Sequence, residues 1–212
     1  QYVSGDLNSA AETKFEASHD SSLTIQTPLR KLYDVHVGMH GAFQFANAAL
    51  AVAALDAISP HPLPSITDDE IRRGLEAAYV PGRLDEVSSN PTIVVDGAHN
   101  EMAAEALANA LRSEYNADNR RLILVVGLKR NHDPESFLGP LAALRPAILI
   151  ATEPSFHPRD AQDVARAAKK WDIAHVECQS TSAADAARAA LALVQTGDLL
   201  CVTGSFYTVG DL

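Results

Sequence analysis

The pattern of apolar and polar positions along the chain changes character near Pro81. Before that point, short β-prone runs are followed by two helical segments. The predicted elements are strands at 13–17, 23–27 and 32–37, a helix at 43–58, and a helix from Thr67 to about residue 78. A turn at 19–22 and a rigid, proline-rich linker at 59–64 separate these elements. We therefore predict a domain boundary at Pro81-Gly82, with a first domain at 1–79 and a second at 80–212.

The second part of the chain alternates regularly between apolar runs and helical segments. Strands are predicted at 92–95, 122–126, 147–151, 173–177 and 199–202, and helices at 101–115, from Pro134 behind an Asp133 cap, at 160–171 and at 182–195. The strands are apolar throughout, so both faces of their sheet should be covered. This pattern predicts an α/β fold with a parallel sheet between helices.

The helix predicted at 43–58 carries a single charge, Asp56, and a helix that is apolar all round is usually buried. Gln44 and Asn47 lie three residues apart and so share a face. A buried amide without a partner costs about 1–3 kcal/mol, so both need a hydrogen-bond partner. Either the backbone of a neighbouring loop or a planar polar ligand such as a purine edge would supply it, and the spacing leaves both open.

Composition places the chain among ordinary globular proteins. Its 212 residues are 47% hydrophobic and carry 27 acidic and 17 basic side chains, a net charge of −10. The longest apolar stretch, 46–55, is too short for a membrane span. Cys178 and Cys201 are too few for a disulfide framework or a metal site, which predicts a reduced, cytoplasmic protein. The chain starts at Gln1 with no signal-peptide pattern, which suggests a fragment or a processed product.

The distribution of positive charge excludes some partners. Ten of the 17 basic residues lie in five doublets spread along the chain, so no basic stripe is available for nucleic acid. A small anion would need a few local cations or a helix N-terminus. His36 and His40 have the spacing of a helical zinc pair, but Gly38 and the strand-like context disfavour that interpretation. No Gly-x-Gly-x-x-Gly and no Walker A sequence is present.

The residues that follow the predicted strands form the candidate site, because ligands of open α/β sheets bind at the carboxyl ends of the strands. These segments are 96–100, 127–133, 152–154 and 203–207, and they bring together the carboxylate of Asp96, two imidazoles and two adjacent cations. Each has a structural alternative. Asn100 is a good helix cap, His99 a plausible structural histidine, and Lys129-Arg130 a plausible solvated pair. Ser205 lacks the surrounding sequence of a nucleophile elbow, so a serine hydrolase is disfavoured.

Several segments, in order, resemble the folylpolyglutamate synthase family of the Mur ligase superfamily. They are the Gly-x-x-Gln-x-x-Asn-Ala helix at 41–48, Pro-Gly-Arg-Leu-Asp at 81–85, Asp-Gly-Ala-His-Asn at 96–100 and Thr-Gly-Ser-Phe-Tyr at 203–207. Together they cover about residues 40–212. The resemblance implies a Rossmann-like glutamate-ligase domain at 80–212, preceded at 1–79 by the C-terminal portion of a central ATP-binding domain.

The resemblance further implies an ATP-dependent ligase that adds glutamate to a folate through an acyl phosphate. It implies that Asn47 contacts the adenine, Arg83 the phosphates and Asp96 the ribose of ATP. It also implies that His99 acts in catalysis and that Lys129 and Ser205 bind glutamate. The P-loop, the superfamily's carbamylated lysine and most Mg²⁺ ligands would lie upstream of Gln1. The chain alone would then not turn over ATP, and the missing N-terminal portion would be its partner.

Two departures from the family pattern keep alternatives open. Phe43 stands where the family often has histidine, and the segment 130–133 replaces the family's Asp-Lys-Asp. The second departure motivates a Mur-type ligase with a muramyl-peptide acceptor, and the lack of a P-loop motivates a non-catalytic nucleotide-binding module. Dihydrofolate synthase activity is a further possibility within the main hypothesis.

Overall fold

A computed structural model describes residues 4–7, 13–17, 22–58 and 66–212, with the side chains of 4–7 and 179–181 left aside. The linker predicted at 59–64 and most of the turn predicted at 19–22 lie outside these residues. The chain divides into two compact units, Gln1–Val80 and Pro81–Leu212. No helix in the described ranges is long and apolar enough to cross a membrane.

Unit 1 contains a four-stranded antiparallel sheet whose strands follow one another in chain order: β1 (Ser4–Leu7), β2 (Thr13–Ala17), β3 (Leu23–Gln26) and β4 (Lys31–Val35). Alternate residues such as Phe15, Leu23 and Ile25 are buried against α1 (Phe43–Ile58). The sequence predicted β2, β3 and β4 but not β1, because Ser-Gly-Asp-Leu has no apolar alternation. The core of unit 1 therefore lies between this sheet and α1, and Ile71 of the following helix also contributes to it.

Helix α1 departs from its prediction. Ala48, Ala49 and Val52 are buried, but Leu50 is 57% exposed, so within the described residues the helix is covered on one side only. Its single charge, Asp56, is buried and accepts a 2.7 Å hydrogen bond from Arg30 Nε. An apolar sequence predicts burial only where a second layer is available to cover the helix.

Helix α2 (Asp68–Glu76) begins at the predicted capping box. Thr67 Oγ1 accepts the Glu70 N–H at 3.3 Å, and the Glu70 carboxylate accepts the Thr67 N–H at 2.8 Å. Each side chain satisfies a backbone donor at the start of the helix. This prediction is confirmed.

Unit 2 is built on a six-stranded sheet with the order β5-β6-β10-β7-β8-β9. The strands are β5 (Asp85–Ser89), β6 (Thr92–Val95), β7 (Leu122–Gly127), β8 (Ile148–Glu153), β9 (Val176–Ser182) and β10 (Leu199–Thr203). All pairings are parallel except the antiparallel pair β5–β6. The predicted parallel sheet is confirmed. The antiparallel edge strand β5 was not predicted, because its sequence is polar.

One predicted strand was misplaced. The strand expected at 173–177 is β9, which begins three residues later, at Val176. Helix α5 (Ala161–Lys170) ends in a turn in which Asp172 has a positive φ of 55°, and Ile173 is buried in the core ahead of the strand. Its apolar side chain therefore belongs to the helix–strand connection and not to the sheet.

Helices cover both faces of the sheet. Helices α3 (Glu101–Ser113), α4 (Pro134–Ala142) and α5 pack on the face that carries Leu124 and Val126, and α6 (Ala183–Leu193) packs on the face that carries Val125 and Val202. A short helix, α7 (Phe206–Gly210), follows β10 and was not predicted, because five residues show no helical period. Since β10 lies between β6 and β7, the carboxyl ends of these three strands are consecutive along one edge of the sheet.

Candidate functional site

Five of the six predicted site residues lie in unit 2, where they surround the carboxyl ends of β6, β10 and β7. Asp96 and His99 follow β6, Ser205 follows β10, and Lys129 follows β7. Arg83 lies just before β5, and its backbone neighbours contact the loop after β6. The sixth residue, Asn47, lies on α1 in unit 1.

Asp96 is buried, and both of its carboxylate oxygens accept backbone hydrogen bonds. Oδ2 accepts from the N–H of Leu84 and Oδ1 from the N–H of Ala98, each at 2.8 Å. Burial raises the pKa of Asp96, while these two amides and the nearby Arg83 and His99 favour the charged form. The side chain therefore joins the segment before β5 to the loop after β6.

The turn that Asp96 holds is strained. Leu84 is fully buried with φ = +46°, a left-handed conformation that costs a non-glycine residue about 1–3 kcal/mol. Gly82, also at positive φ, accepts a 2.8 Å hydrogen bond from the Gly97 N–H through its carbonyl and donates at 3.1 Å to Asp85 Oδ2. These bonds fix the backbone on both sides of Arg83.

Arg83 stacks on an aromatic ring. Its guanidinium lies over the Phe206 ring, 4.6 Å from the centroid. A Cβ on Gly97 would come within 2.8 Å of three atoms of the same ring, so the absence of a side chain at Gly97 makes room for Phe206. Arg83 is exposed, and in the part of the chain that the structure describes it forms no ion pair with a carboxylate. Its charge is available to an anion.

Two imidazoles meet beside this turn. The rings of His99 and His132 lie 4.8 Å apart at 54°. His99 Nδ1 is 2.9 Å from the Gly97 carbonyl oxygen, which can only accept, so Nδ1 carries the proton and Nε2 is left for another partner. Burial first, and then electrostatic interaction with His99, Lys129 and Arg159, lower the pKa of His132. The prediction that the loops after β6 and β7 bring two imidazoles to one edge is confirmed, although the direct contact between the rings was not predicted.

Lys129 lies against two aromatic rings. Its ammonium is 5.5 Å from the centroid of Phe156 and 5.3 Å from that of Tyr207, and these rings stack at 4.6 Å and 26°. None of the described residues offers Lys129 a carboxylate within salt-bridge distance. Phe156 was not predicted as a site residue. Tyr207 was noted within the segment 203–207, but no role was assigned to its ring.

Arg159 was also missed, and it holds the loop after β7. Its Nε donates to the carbonyl of His132 at 2.8 Å, and its Nη2 donates to the carbonyl of Arg130. The backbone N–H of Arg159 donates to the carbonyl of Leu128 at 2.8 Å. The loop that carries Lys129 and His132 is therefore tied to the segment that follows β8.

Ser205 and Asn100 act as helix caps. Ser205 Oγ, buried, accepts the Tyr207 N–H at 3.1 Å at the start of α7. Asn100 Oδ1 accepts the Ala103 N–H at 2.9 Å, which confirms the capping alternative for that residue. The predicted contact between Ser205 and glutamate stays a prediction.

In unit 1, the two amides on α1 pair with each other. Asn47 Nδ2 donates to Gln44 Oε1 at 2.8 Å, with Gln44 buried and Asn47 exposed. The partner is thus neither of the two that were expected, although Asn47 remains accessible to a ligand. Phe43, which stands at the family's histidine position, packs its ring against Gly41.

A groove of about 500 Å³ lies elsewhere in unit 2, between α3 and α4 and beside Trp171. It contains none of the six predicted site residues. The described residues bring together no group of three His, Cys, Asp or Glu side chains that could hold a metal ion. The carboxyl ends of β6, β10 and β7, called the carboxyl edge below, carry the cations Arg83 and Lys129, two imidazoles, aromatic rings and the buried carboxylate of Asp96.

This chain is similar in sequence to a known protein family and to several of its members. The profile described as "Mur ligase, glutamate ligase domain" matches residues 82–206. A probable bifunctional folylpolyglutamate synthase/dihydropteroate synthase of Haloferax volcanii is 30% identical over 192 residues, which are 91% of this chain and 22% of that protein. A UDP-N-acetylmuramoyl-L-alanyl-D-glutamate–2,6-diaminopimelate ligase of Corynebacterium glutamicum is 27% identical in an alignment of 216 positions, which covers 96% of this chain and 40% of that protein.

Solved structures show the same similarity. Folylpolyglutamate synthase of Mycobacterium tuberculosis complexed with ADP superposes with a TM-score of 0.77 at 29% identity, over 89% of this chain and 43% of that one. The bifunctional folylpolyglutamate synthase/dihydrofolate synthase of Yersinia pestis complexed with AMPPNP and Mn ion gives 0.74 at 29%, over 92% and 44%. These findings confirm the resemblance inferred from the motifs. The chain spans less than half the length of each of these four proteins.

Proposed function

The chain belongs to the Mur ligase family, whose glutamate ligase domain matches residues 82–206, and from that premise we propose that the complete protein joins glutamate to a (tetrahydro)folate at the expense of ATP. ATP phosphorylates the terminal carboxylate of the folate, and ADP leaves. The amine of glutamate attacks the resulting acyl phosphate, the amide forms, and phosphate leaves with the proton balance closed by solvent.

The observation that carries the proposal is the pair of cations at the carboxyl edge of unit 2. Arg83 and Lys129 each lie on aromatic rings and have no carboxylate partner among the described residues, although the chain as a whole is strongly acidic. Arginine suits phosphate by charge and by its planar fork. Lysine suits a carboxylate as a point charge. The proposed reaction involves both a phosphate, on ATP, and a carboxylate, on glutamate.

The nucleotide roles follow the motifs. We assign the phosphates to Arg83, the adenine to Asn47 and the ribose hydroxyls to Asp96. A carboxylate accepts about four hydrogen bonds, so the two backbone amides on Asp96 leave lone pairs for a ribose. The Nε2 of His99 is the ring atom left to face the reacting groups, and Ser205 joins Lys129 on the glutamate side.

Magnesium and the phosphate-binding loop are not assigned to these residues. The described residues contain no group of three His, Cys, Asp or Glu side chains that could hold a metal ion, and the 212 residues contain no Walker A sequence. We propose that both are supplied elsewhere in the complete protein, and that the 212 residues alone do not turn over ATP. The greater length of the relatives supports this division.

A muramyl-peptide acceptor is the second candidate, favoured by the altered loop at 130–133 and by the diaminopimelate ligase relative. The test is ADP release by the complete protein with ATP and a panel of acceptors: dihydropteroate, tetrahydrofolate and a UDP-muramyl peptide, each with glutamate or diaminopimelate. We expect release that requires a folate and glutamate. Release only with the muramyl peptide would favour the second candidate, and nucleotide binding without turnover on any acceptor would favour a non-catalytic module.

A further inference from the structure

The ammonium of Lys129 is held by aromatic rings in a way that the proposed reaction does not by itself explain. Phe156 and Tyr207 stack on each other, and the ammonium lies over both rings at nearly equal distances. The rings are 43% and 42% exposed, so two large apolar side chains stand at the carboxyl edge beside the cation. Exposed aromatic rings grouped around a lysine point to a defined task at that place.

The backbone around these rings is fixed on two sides. Lys129 pairs with Pro158 in an isolated β-bridge, and the Arg130 N–H donates to the His157 carbonyl at 2.8 Å. On the other side, the carboxylate of Asp211, just after α7, accepts from both the N–H and the Oγ of Ser155 at 2.7 Å. The rings and the lysine are therefore presented by anchored segments, which keeps their relative positions constant.

An aromatic partner leaves the charge of a lysine intact, whereas a carboxylate partner would neutralise it. A cation over a ring face is attracted by the quadrupole of the ring, and its N–H groups remain free to donate to an anion. Arg130, the next residue in the chain, and Arg159, which is bonded to the same loop, add positive charge nearby. The carboxylates of Asp211 and Asp163, in adjacent segments that the structure describes, are bonded to Ser155 and Arg159 and form no ion pair with Lys129. An incoming carboxylate thus finds a preset cation with no internal anion to displace.

We propose that Phe156 and Tyr207 are positioning residues that hold the Lys129 ammonium for a carboxylate group of the incoming glutamate. The inference rests on the proposed function and adds two residues to it. The rings act through Lys129 and make no step of the chemistry. They therefore affect the affinity for glutamate and leave the handling of ATP unchanged.

The test is a steady-state comparison in the complete protein, in which glutamate or ATP is varied while the other substrates are saturating. In Phe156→Leu and Tyr207→Leu, the KM for glutamate rises about 2–5-fold each, the effect of losing an exposed cation–π contact. The KM for ATP and kcat stay within about twofold, and Tyr207→Phe, which keeps the ring, behaves as the wild type. Tyr33→Leu, which removes the ring under Lys31 on β4, is the matched control and leaves the KM for glutamate unchanged.

Two outcomes overturn the inference and are distinguishable. If the wild type is active with glutamate and the leucine variants keep its KM, or lose kcat and affinity for ATP equally, the rings are structural and the proposed function stands. If calorimetric titration in the presence of a non-hydrolysable ATP analogue and folate detects no glutamate binding by the wild type, both the inference and the proposed function fail.

Discussion

The carboxylate of Asp96 and the backbone amide of Leu84 are joined by a hydrogen bond of 2.8 Å across twelve positions of sequence. This bond connects two motifs that the sequence presents separately, the Pro-Gly-Arg-Leu-Asp turn and the Asp-Gly-Ala-His-Asn loop. Asp96 thereby supports the left-handed backbone at Leu84 and sets the place of Arg83. Asp96 therefore stabilises the local backbone and is at the same time a candidate for nucleotide binding.

Replacement of Asp96 by alanine should destabilise unit 2 as well as weaken nucleotide binding. Two amides, those of Leu84 and Ala98, lose their acceptors in a buried place, and we expect a loss of about 2–4 kcal/mol in the free energy of unfolding. Hydrogen exchange at these two amides measures it locally. Asp118→Ala removes an exposed carboxylate and is the control. Unchanged protection of the Leu84 and Ala98 amides from hydrogen exchange would show that their hydrogen bonds to Asp96 contribute little to stability.

Arg83→Ala should have the opposite balance of effects. The side chain is exposed and stacks only on Phe206. The free energy of unfolding should therefore fall by about 1 kcal/mol or less. The KM for ATP should rise about tenfold or more, since a charge-assisted bond to phosphate is lost. Arg112→Ala, which breaks an exposed ion pair on α3, is the control. A large drop in stability with unaltered dependence on ATP would contradict the phosphate role.

Gly97→Ala should disturb the stack under Arg83. The new methyl group would lie 2.8 Å from the Phe206 ring, so the ring must move, and we expect a cost of about 1–3 kcal/mol. In the double variant with Phe206→Ala the cost of the methyl group should largely disappear, which a double-mutant cycle detects. Gly210→Ala, where the space is open, should cost little. Additive effects at residues 97 and 206 would mean that the two do not share this contact.

His132 should make unit 2 sensitive to mild acid. Its pKa is lowered from 6.5 in the folded chain, first by burial and then by His99 and the neighbouring cations. As the pH falls below about 6.5, the unfolded chain takes up the proton before the folded one does, so the free energy of unfolding decreases. Above that pH the contribution is constant.

The measurement is the free energy of unfolding between pH 7.5 and 5 for the wild type and for His132→Gln. The glutamine variant should lose less stability on acidification than the wild type. Parallel curves for the two proteins would contradict a lowered pKa at His132.

Local patterns in the sequence were sufficient for the parts of the fold that depend on neighbours in the chain. The apolar runs of β6, β7, β8 and β10 and the caps at Thr67 and Asp133 were all predicted, because side-chain period and capping are local properties. Strand β5 was missed since an edge strand need not be apolar. Helix α1 was taken as fully buried, since hydropathy does not say how many layers surround a helix.

The candidate site shows the same limit. Its loops were predicted from the rule that polar residues gather after parallel strands. The Asp96–Leu84 bond, the His99–His132 pair and the rings around Lys129 join residues 12 to 78 positions apart, and no periodicity reports such contacts. Tyr207 and Phe156 come together only because β10 is inserted next to β7 in the sheet.

The most direct measurement is mass spectrometry of the folate recovered after incubation of the complete protein with ATP, Mg²⁺, tetrahydrofolate and glutamate. We expect a product heavier by one glutamyl residue, formed in step with ADP, absent without ATP and strongly reduced in Arg83→Ala. Unmodified folate, under conditions in which the same protein converts a muramyl peptide or only binds nucleotide, would contradict the proposed function.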